Sequence, residues 1–244
     1  MKNLNKNILI TGSEGQIGKN LINLLSKNNF KLILLDKNKK VKDNYYCIDF
    51  NNNKKLKLVT NQIKKKYKNI YGLINLAAYQ VLSDFENRTL GEIDKSLNVN
   101  IKANIFLSQF IFKSFFKKQK YGKIINISSI FGMYSPDFNN YRKGDRKSSE
   151  IYGATKASII QLTKYFSNYM SNSHVNVNCI SPGGVENKNI QTKKFIKRYS
   201  QKNPSKRMAK ADEISNLILF LLSEKSNYIN GENIVIDGGY SSKL

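Results

Sequence analysis

The 244-residue sequence contains few of the residues that build metal sites, disulfide frameworks or rigid turns: one histidine, two cysteines, three prolines and no tryptophan. Cys47 and Cys179 have no paired spacing, which argues against a disulfide framework and favours two buried thiols in a reducing compartment. His174 stands between a predicted helix and a predicted strand, where we expect a cap or a surface side chain. No histidines, cysteines and carboxylates have metal-ligand spacing, so we expect no metal.

Long hydrophobic runs are also missing. No segment approaches the ~18 apolar residues of a membrane span, and the apolar run near the N-terminus is too short for the core of a signal peptide. The composition, with 40% hydrophobic and 24% charged residues, is typical of a globular protein. We therefore expect a cytoplasmic protein that does not associate with membranes.

Acidic residues are scarce. The chain has 17 Asp and Glu against 41 Lys and Arg, a formal net charge of +24. A basic surface attracts polyanions, but the lysines are spread along the whole chain, and no zinc-finger, basic-zipper or aromatic RNA-binding pattern accompanies them. We expect weak, salt-sensitive adhesion to polyanions and no specific nucleic-acid partner.

What the sequence does contain is a repeated alternation of strand and helix patterns. This order predicts an α/β fold of the Rossmann type: a doubly wound, largely parallel sheet of about seven strands with helices on both faces. No repeat or linker divides the chain, so residues 1–244 are expected to form one domain. The predicted strands are Asn7–Thr11, Lys31–Asp36, Ile70–Ala77, Lys123–Ser128, Val175–Ser181 and Asn233–Ile236. The predicted helices are Ile17–Lys27, Lys55–Lys68, Gly91–Lys118, Ile151–Ser173 and Asp212–Ser223.

Two stretches, Gly132–Glu150 and Glu186–Arg207, have neither pattern and are long for loops of a compact fold. In an open parallel sheet the ligand crevice lies beyond the carboxyl ends of the strands, so we expect substrate loops near residues 132–150 and 186–207. Both loops are basic, which suits an anionic substrate such as a sugar phosphate, although solvated loop charge is the simpler explanation. The basic residues are Arg142, Lys143, Arg146 and Lys147 on the first loop and Lys193, Lys194, Lys197 and Arg198 on the second.

The turn after the first predicted strand, TGSEGQIG, opens the first predicted helix. Glycines at positions 12, 15 and 18 allow a tight turn and a close approach of the backbone to a pyrophosphate. The helix N-terminus adds free N–H groups and the positive end of the helix dipole. The strand–turn–helix context therefore predicts a dinucleotide-binding loop.

An acid, Asp36, ends the second predicted strand. A carboxylate there accepts hydrogen bonds from the ribose hydroxyls of an adenosine and repels a 2′-phosphate, which favours NAD over NADP. Lys37 beside it offsets part of that repulsion, so NADP remains an alternative. Asp49, at the end of YYCID, is either a contact to the adenine or a simple strand-end acid.

Tyr152 and Lys156 lie in YGATK on a predicted helix, where an i,i+4 spacing places both side chains on one face. A phenol with a pKa near ~10 is a poor base at neutral pH, and moving it to ~7 requires about 4 kcal/mol of differential stabilisation. We expect the ammonium of Lys156 to lower the pKa of Tyr152. Pairs with this spacing also arise by chance in a chain rich in both residues.

Two further polar positions remain ambiguous on sequence alone. Ser128 and Ser129 end the strand KIINIS, where a hydroxyl either binds a substrate oxygen beside the tyrosine or simply forms a turn. Asn100 interrupts an apolar helical run, either as a surface amide or as a residue holding a water that links the lysine to solvent.

Taken together, the motifs resemble the short-chain dehydrogenase/reductase family. The segments TGSEGQIG, LINLAA, NVN, INISS, YGATKAS, VNCISPGGV and VIDGG occur in that family's order, from end to end of the chain, at the length of its compact single-domain branch. The segment between Ser129 and Tyr152 is also similar to that of bacterial oxidoreductases of surface-sugar and flagellin modification.

The resemblance implies specific roles. Tyr152 is expected to be the acid/base, Lys156 its electrostatic partner and ribose ligand, Ser129 the substrate hydrogen-bond donor and Asn100 the relay residue. The implied cofactor-binding residues are Gly12, Ser13, Gly15, Gln16, Ile17, Gly18, Asp36, Asp49, Asn75, Ala77, Ala78, Tyr152, Lys156, Pro182, Gly183 and Val185.

The chain departs from the family pattern at several points. Gly15 changes the usual glycine spacing, and LINLAA replaces a more usual NNAG. Asn187 stands where the family has a threonine that contacts the nicotinamide carboxamide. Ser129 and Tyr152 are further apart than is typical, so the intervening segment must loop out to bring them together.

We therefore expect an NAD(P)(H)-dependent oxidoreductase that interconverts a secondary alcohol and a ketone by hydride transfer, with sugar or sugar-phosphate substrates and a place in carbohydrate metabolism. The alternatives are an NAD-using sugar-nucleotide epimerase or dehydratase and a non-catalytic cofactor-sensing protein. Since family members commonly form tetramers or dimers, a homo-oligomer is expected as well.

Overall fold

Parallel strands form one sheet across the middle of the molecule. The computed structural model describes residues 6–142, 145 and 147–243. Within these residues the strands are β1 (Asn7–Thr11), β2 (Lys31–Asp36), β3 (Tyr45–Cys47), β4 (Gly72–Asn75), β5 (Gly122–Ile127), β6 (Val175–Pro182) and β7 (Asn233–Ile236). Their order is β3-β2-β1-β4-β5-β6-β7, and every neighbouring pair is parallel. The predicted doubly wound, parallel α/β sheet is confirmed.

Helices cover both faces of this sheet. They are α1 (Gln16–Lys27), α2 (Asn53–Lys66), α3 (Leu90–Leu97), α4 (Ala103–Ile111), α5 (Lys117–Gln119), α6 (Glu150–Tyr169), α7 (Lys193–Lys202) and α8 (Ala211–Leu222). Successive strand side chains point to opposite faces. Leu9 and Leu73 therefore pack with α2, α4 and α6 in one core, and Ile8 and Ile74 pack with α1 and α8 in the other. Because both faces are buried, the strands read as nearly continuous apolar runs.

The crevice lies where the strand order reverses, between β1 and β4. The Thr11 hydroxyl, at the end of β1, accepts hydrogen bonds from the backbone N–H groups of Leu76 and Ala77, both at 3.1 Å. These bonds fix the turn after β4 against the glycine turn after β1. The two sequence segments predicted to hold a cofactor are thereby brought side by side.

A cluster of buried amides joins the sheet to the helices beneath the crevice. Asn126 on β5 accepts from the side-chain amides of Asn75 on β4, at 2.9 Å, and of Asn104 on α4, at 3.1 Å. Its own Nδ2 donates to Thr163 Oγ1 on α6 at 2.9 Å. Polar groups at this depth favour a single arrangement because leaving one unpaired costs about 1–3 kcal/mol, although the Oδ1 of Asn104 has no partner among the described residues.

The structure differs from the sequence-based prediction in four elements. Residues 186–207, expected to be irregular, contain the ten-residue helix α7. The helix predicted over Gly91–Lys118 includes two π-helical turns, Asn98–Lys102 and Phe112–Phe116, between its α-helical parts. The third predicted strand ends at Asn75 rather than Ala77, and the short edge strand β3 was not among the predicted strands.

Among the described residues, no helix combines the length and apolar character that crossing a bilayer requires. The same residues contain no group of three or more His, Cys, Asp and Glu placed to hold a metal ion.

Gly12 is the residue on which the turn after β1 depends. Its φ of +68° lies in the left-handed region, and a Cβ there would stand 2.8 Å from the backbone of Ala77. Only glycine avoids both the conformational strain and the overlap.

We expect Gly12→Ala to lower the free energy of unfolding by roughly 2–4 kcal/mol, because both penalties add. Thermal unfolding of the protein without added ligand measures the effect. Gly91→Ala is the matched control: no atom lies within 4 Å of its Cβ position, so a helical alanine there should be neutral or slightly stabilising. Equal melting temperatures for the two variants would contradict this account of the turn.

Candidate active site

Three adjoining cavities line the carboxyl edge of the sheet. The Asp36 cavity, of about 270 Å³, includes Gly12, Glu14, Asp36 and Asp49 among its lining residues. The Lys156 cavity, of about 350 Å³, shares Gly12 and Gly15 with it and extends to Ser129, Tyr152 and Lys156. The loop cavity, of about 190 Å³, shares Ser129 and Tyr152 with the Lys156 cavity and lies under loop 132–150 and α7. The three cavities thus form a continuous crevice with Tyr152 at its inner junction.

The N-terminus of α1 opens onto this crevice. Gly15 is the N-cap, and within the described residues no side chain caps the helix and no acid lies in its first turn. The first-turn N–H groups therefore remain available to an anion, and the helix dipole favours one there. A Cβ at Gly18 would lie 2.7 Å from the carbonyl oxygen of Ser13, so glycine is what allows the turn and the helix to pack this closely.

Asp36 is 7% exposed at the end of β2 and is held by the backbone around it. Its Oδ2 accepts from Glu14 N at 2.9 Å and its Oδ1 from Asn38 N at 3.0 Å. The Glu14 carboxylate forms an ion pair with Lys40 at 2.6 Å. Together with Asp49, three carboxylates therefore line this end of the crevice, and the one on Glu14 is already paired with a lysine.

Most residues predicted to bind a cofactor line the Asp36 cavity or the Lys156 cavity. They are Gly12, Gly15, Gln16, Ile17, Gly18, Asp36, Asp49, Ala77, Ala78, Tyr152, Lys156, Pro182, Gly183 and Val185. Ser13 and Asn75 do not. Both are buried, and Asn75 belongs to the amide cluster described above. Sequence reasoning missed Glu14, Tyr79 and Lys95, which also line the Asp36 cavity. The glycine motif contained Glu14, but nothing in the pattern indicated where its side chain would lie.

Ser129, Tyr152 and Lys156 meet although 22 residues separate the first two in sequence. The backbone turn Ile130–Gly132 packs directly on α6: a Cβ at Gly132 would lie 2.7 Å from the carbonyl carbon of Lys156. The Ser128 hydroxyl donates to the Lys156 carbonyl oxygen at 2.7 Å. The intervening segment loops out, as expected, and leaves Ser129 beside Tyr152.

The two predicted catalytic side chains of α6 share one side of the helix. Lys156 is 4% exposed. Its Nζ donates to the carbonyl oxygen of Ile127 at 2.7 Å and lies 5.5 Å from the centroid of the Tyr152 ring. The hydroxyl of Ser149 caps α6 by accepting from Tyr152 N at 3.2 Å, which fixes the first turn that carries the phenol.

The expected lowering of the Tyr152 pKa is wrong for the protein without a ligand. Burial raises the pKa of Tyr152, and a hydrogen bond with Ser129 opposes that rise. Burial also lowers the pKa of Lys156 to about 8, with Cys179 acting in the opposite direction. Desolvation is therefore the larger influence on the pKa of both groups. The ammonium bonds the Ile127 carbonyl rather than the phenol.

Asn100 lies in the π-helical turn Asn98–Lys102 and is 3% exposed, so it is not a surface amide. Its Oδ1 accepts from Tyr79 N at 2.7 Å, and its Nδ2 donates to Tyr79 O and to Thr155 Oγ1, both at 3.0 Å. The side chain thus joins α6 to the segment after β4. Its bonds go to these groups and not to Lys156.

The loop cavity has aromatic walls that neither predicted loop revealed. Tyr141 stacks on Phe195 of α7 with ring centroids 5.9 Å apart, and Tyr199 of α7 stacks on Tyr240 at 4.7 Å. The Tyr199 hydroxyl accepts from Gly184 N at 2.7 Å. Phe195 and Tyr199 have helical i,i+4 spacing, a signal that was obscured because the surrounding sequence is dominated by lysine and polar residues.

The described basic residues of the two loops do not line this cavity. Arg198 is paired with Asp145, Lys147 with Asp84 at 3.2 Å, and the Arg142 guanidinium donates to loop carbonyls. Lys193, Lys194 and Lys197 are exposed on α7. Lys143 and Arg146 lie outside the described residues.

Comparison with known proteins places the chain among reductases and dehydrogenases. It matches the family model described as enoyl-(acyl carrier protein) reductase over residues 18–241. The post-translational flagellin modification protein A of Campylobacter coli is 32% identical over 97% of this chain and 98% of its own length.

Solved structures agree. A short chain dehydrogenase from Leptospira borgpetersenii serovar Hardjo-bovis with bound NAD+ is 34% identical, with a TM-score of 0.90 over 98% of this chain and 94% of that one. ElxO with NADP bound is 25% identical, with a TM-score of 0.84 over 99% of this chain and 100% of that one. Structures similar to this one therefore hold NAD or NADP.

The buried ammonium leads to a pH-dependent prediction. The pKa of Lys156 is about 8 in the folded protein and ~10.4 in an unfolded chain. Between these values the unfolded state binds more protons, so stability rises with pH; below pH ~8 the full cost of burying the charge is present. We expect Lys156→Met to raise the unfolding free energy near neutral pH by about 1–2 kcal/mol, since part of the gain offsets the lost bond to Ile127.

Thermal melts between about pH 6 and pH 10 measure this difference. It should shrink as the pH approaches ~10. Lys164→Met, which replaces an exposed lysine of the same helix, should change the melting temperature little at any pH. A Lys156→Met protein that is less stable than the wild type by the same amount throughout would contradict the prediction.

Proposed function

The chain belongs to the short-chain dehydrogenase/reductase family, and we propose that it interconverts a secondary alcohol and a ketone of a sugar-derived substrate by hydride transfer with NAD(H). We propose further that residues 1–244 act as one domain, with loops 132–150 and 186–207 as the substrate walls. The observation that carries the proposal is the junction of Ser129, Tyr152 and Lys156 in one crevice with the glycine turn.

The residues present fit a dinucleotide. Gly12 and Gly15 keep the crevice floor free of side chains beside the uncapped N-terminus of α1, where phosphate oxygens are favoured. Asp36 would hold the adenosine ribose, and Lys156 the ribose nearer Tyr152. When bound in its reduced form, the dinucleotide supplies the hydride, and therefore both electrons, that the carbonyl carbon gains.

The protein side chains provide the proton and the orientation. Tyr152 remains a protonated phenol at neutral pH because burial raises its pKa, so it is ready to donate its proton to the carbonyl oxygen as the alcohol forms. Ser129 orients that oxygen by a hydrogen bond, and the Lys156 ammonium stabilises the phenolate that remains. A proton transfer of this type contributes roughly 10²–10⁴-fold to the rate.

The proposed preference for NAD rests on the negative charge in the Asp36 cavity. A 2′-phosphate would lie beside the carboxylate of Asp36 and near that of Glu14, and like charges in a partly buried site repel strongly. The ion pair between Glu14 and Lys40 occupies one of the cations that would otherwise offset this repulsion.

The sugar-derived substrate is supported by an L-xylulose reductase of Caenorhabditis elegans, which is 28% identical over 97% of this chain. We also propose a homo-oligomer. Large apolar side chains exposed on α3, α4 and β7, among them Leu97, Ile105 and Val235, are the surfaces that a second copy would cover.

We expect Tyr152→Phe to reduce turnover of any ketone substrate by at least about 100-fold, since it removes the proton donor, while NADH affinity stays within about twofold because the ring remains. Steady-state kinetics and calorimetric titration of NADH measure the two quantities. Tyr165→Phe, at an exposed tyrosine of the same helix, is the control and should leave both unchanged. Undiminished turnover by Tyr152→Phe would refute the assignment.

The cofactor preference has its own test. Wild-type protein should bind NADH at least about tenfold more tightly than NADPH, and Asp36→Asn should narrow that ratio by about tenfold or more, because it removes a charge while keeping the side-chain shape. Asp43→Asn, an exposed acid after the same strand, should leave the ratio unchanged. Calorimetry with both cofactors decides the matter, and equal or tighter NADPH binding by the wild type rejects the preference.

A further inference from the structure

The described lining residues of the loop cavity offer a charged substrate no free counter-ion. Among its described lining residues the charged groups are Asp137 and Asp145, and both are bound within the protein. Asp137 pairs with Lys202 at 2.5 Å. Asp145 pairs with Arg198 and accepts from Thr192 Oγ1 at 3.3 Å. The charges of these two lining acids are therefore balanced within the described part of the protein.

One polar atom of the side-chain amide of Asn140, which also lines this cavity, has no hydrogen-bond partner among the described residues. Asn140 is 4% exposed. Its Nδ2 donates to the Tyr240 hydroxyl at 2.8 Å, and its backbone carbonyl accepts from Arg198 Nε at 3.1 Å. Its Oδ1 has no partner among the described residues. Whichever way the amide is turned, the bond to Tyr240 satisfies one polar atom and leaves the other.

Ser148 presents the same situation. It is 6% exposed and lines the same cavity. Its backbone N–H bonds the Tyr141 hydroxyl, but its own hydroxyl has no partner among the described residues. Buried polar groups in native proteins are nearly always paired. Both residues line one cavity beside Tyr152, so a ligand in that cavity is the partner that a small rotation of each side chain would supply.

We propose that Asn140 and Ser148 bind a hydroxyl group of an uncharged, polyhydroxylated ketone whose carbonyl lies at Ser129 and Tyr152. This inference rests on the proposed function and names its substrate class. A sugar hydroxyl is both donor and acceptor, so one such group can satisfy the Asn140 amide and the Ser148 hydroxyl together. The stacked rings of Tyr141 and Phe195 supply the apolar surface that the C–H faces of a sugar pack against.

Ser148→Ala tests the proposal directly, because the hydroxyl it removes bonds nothing in the described protein. The melting temperature should stay the same or rise. The kcat/KM for reduction of xylulose should fall roughly 10- to 100-fold, the effect of losing a hydrogen bond in a buried site. The kcat/KM for 2-pentanone, which has the same carbon number and no hydroxyls, should not change.

Ser135→Ala, at an exposed serine of the same loop, is the matched control and should alter neither substrate. Asn140→Leu gives a second measurement and should show the same selective loss for xylulose, with Asn139→Leu as its exposed neighbour control. A fall for both substrates with Ser148→Ala, or for neither, would overturn the assignment of Ser148.

Wild-type protein tests the inference that the substrate is uncharged, which rests on the lack of a free cation among the described lining residues. Xylulose should be reduced with a higher kcat/KM than xylulose 5-phosphate or an acetoacetyl thioester. Preference for the phosphate or the thioester would overturn this inference while leaving the proposed hydride-transfer function intact. If the protein reduced none of these compounds and did not reduce 2-pentanone, the proposed function would be refuted, and this inference with it.

Discussion

The crevice depends on one interaction, the hydrogen bond that the buried ammonium of Lys156 donates to the carbonyl oxygen of Ile127. A charge removed from water survives only with polar partners at fixed positions, and here the nearest partner is the carbonyl of Ile127 at the last residue of β5. Helix α6 must therefore keep its register against β5. Two further bonds hold that register: Ser128 donates to the Lys156 carbonyl, and Asn126 donates to Thr163 two turns further along α6. Because these bonds fix the end of β5 against α6, Ser129, which follows Ser128, lies beside Tyr152.

The parts of this arrangement that are local in sequence were predictable. Apolar runs ending in Thr11, Asp36 and Ile127 identify parallel strands, and a parallel sheet brings their carboxyl ends to one edge. The spacing of Tyr152 and Lys156 follows from helical geometry alone. The substrate wall was not predictable in the same way. Asn140 and Ser148 lie in a segment without periodicity, and their neighbours Phe195, Tyr199 and Tyr240 are distant in sequence, so only tertiary packing defines their surroundings.

The pKa of Tyr152 shows why proximity in sequence does not determine electrostatics. The i,i+4 spacing correctly places an ammonium near the phenol, but attraction falls with distance and competes with the cost of taking the phenolate out of water. With Nζ 5.5 Å from the ring centroid and bonded elsewhere, the second effect is larger. The protonated phenol that results suits the proposed reduction, in which the tyrosine would give up a proton.

A net charge of +24 is compatible with paired charges at the described lining of the loop cavity, because the two act over different distances. The exposed lysines of α7 contribute to a long-range field, yet at physiological salt that field is screened within about 8 Å. Selectivity at the wall depends on groups within hydrogen-bond distance, and there Asp137 and Asp145 have already bound the loop cations Lys202 and Arg198. These two pairs also tie Asp137 and Asp145 of loop 132–150 to α7, so Arg198, one of the cations expected to suit an anionic substrate, is instead paired within the protein. Apart from these two acids, the polar groups among the described lining residues are amides and hydroxyls, so the proposed selectivity depends on hydrogen-bond geometry rather than on charge.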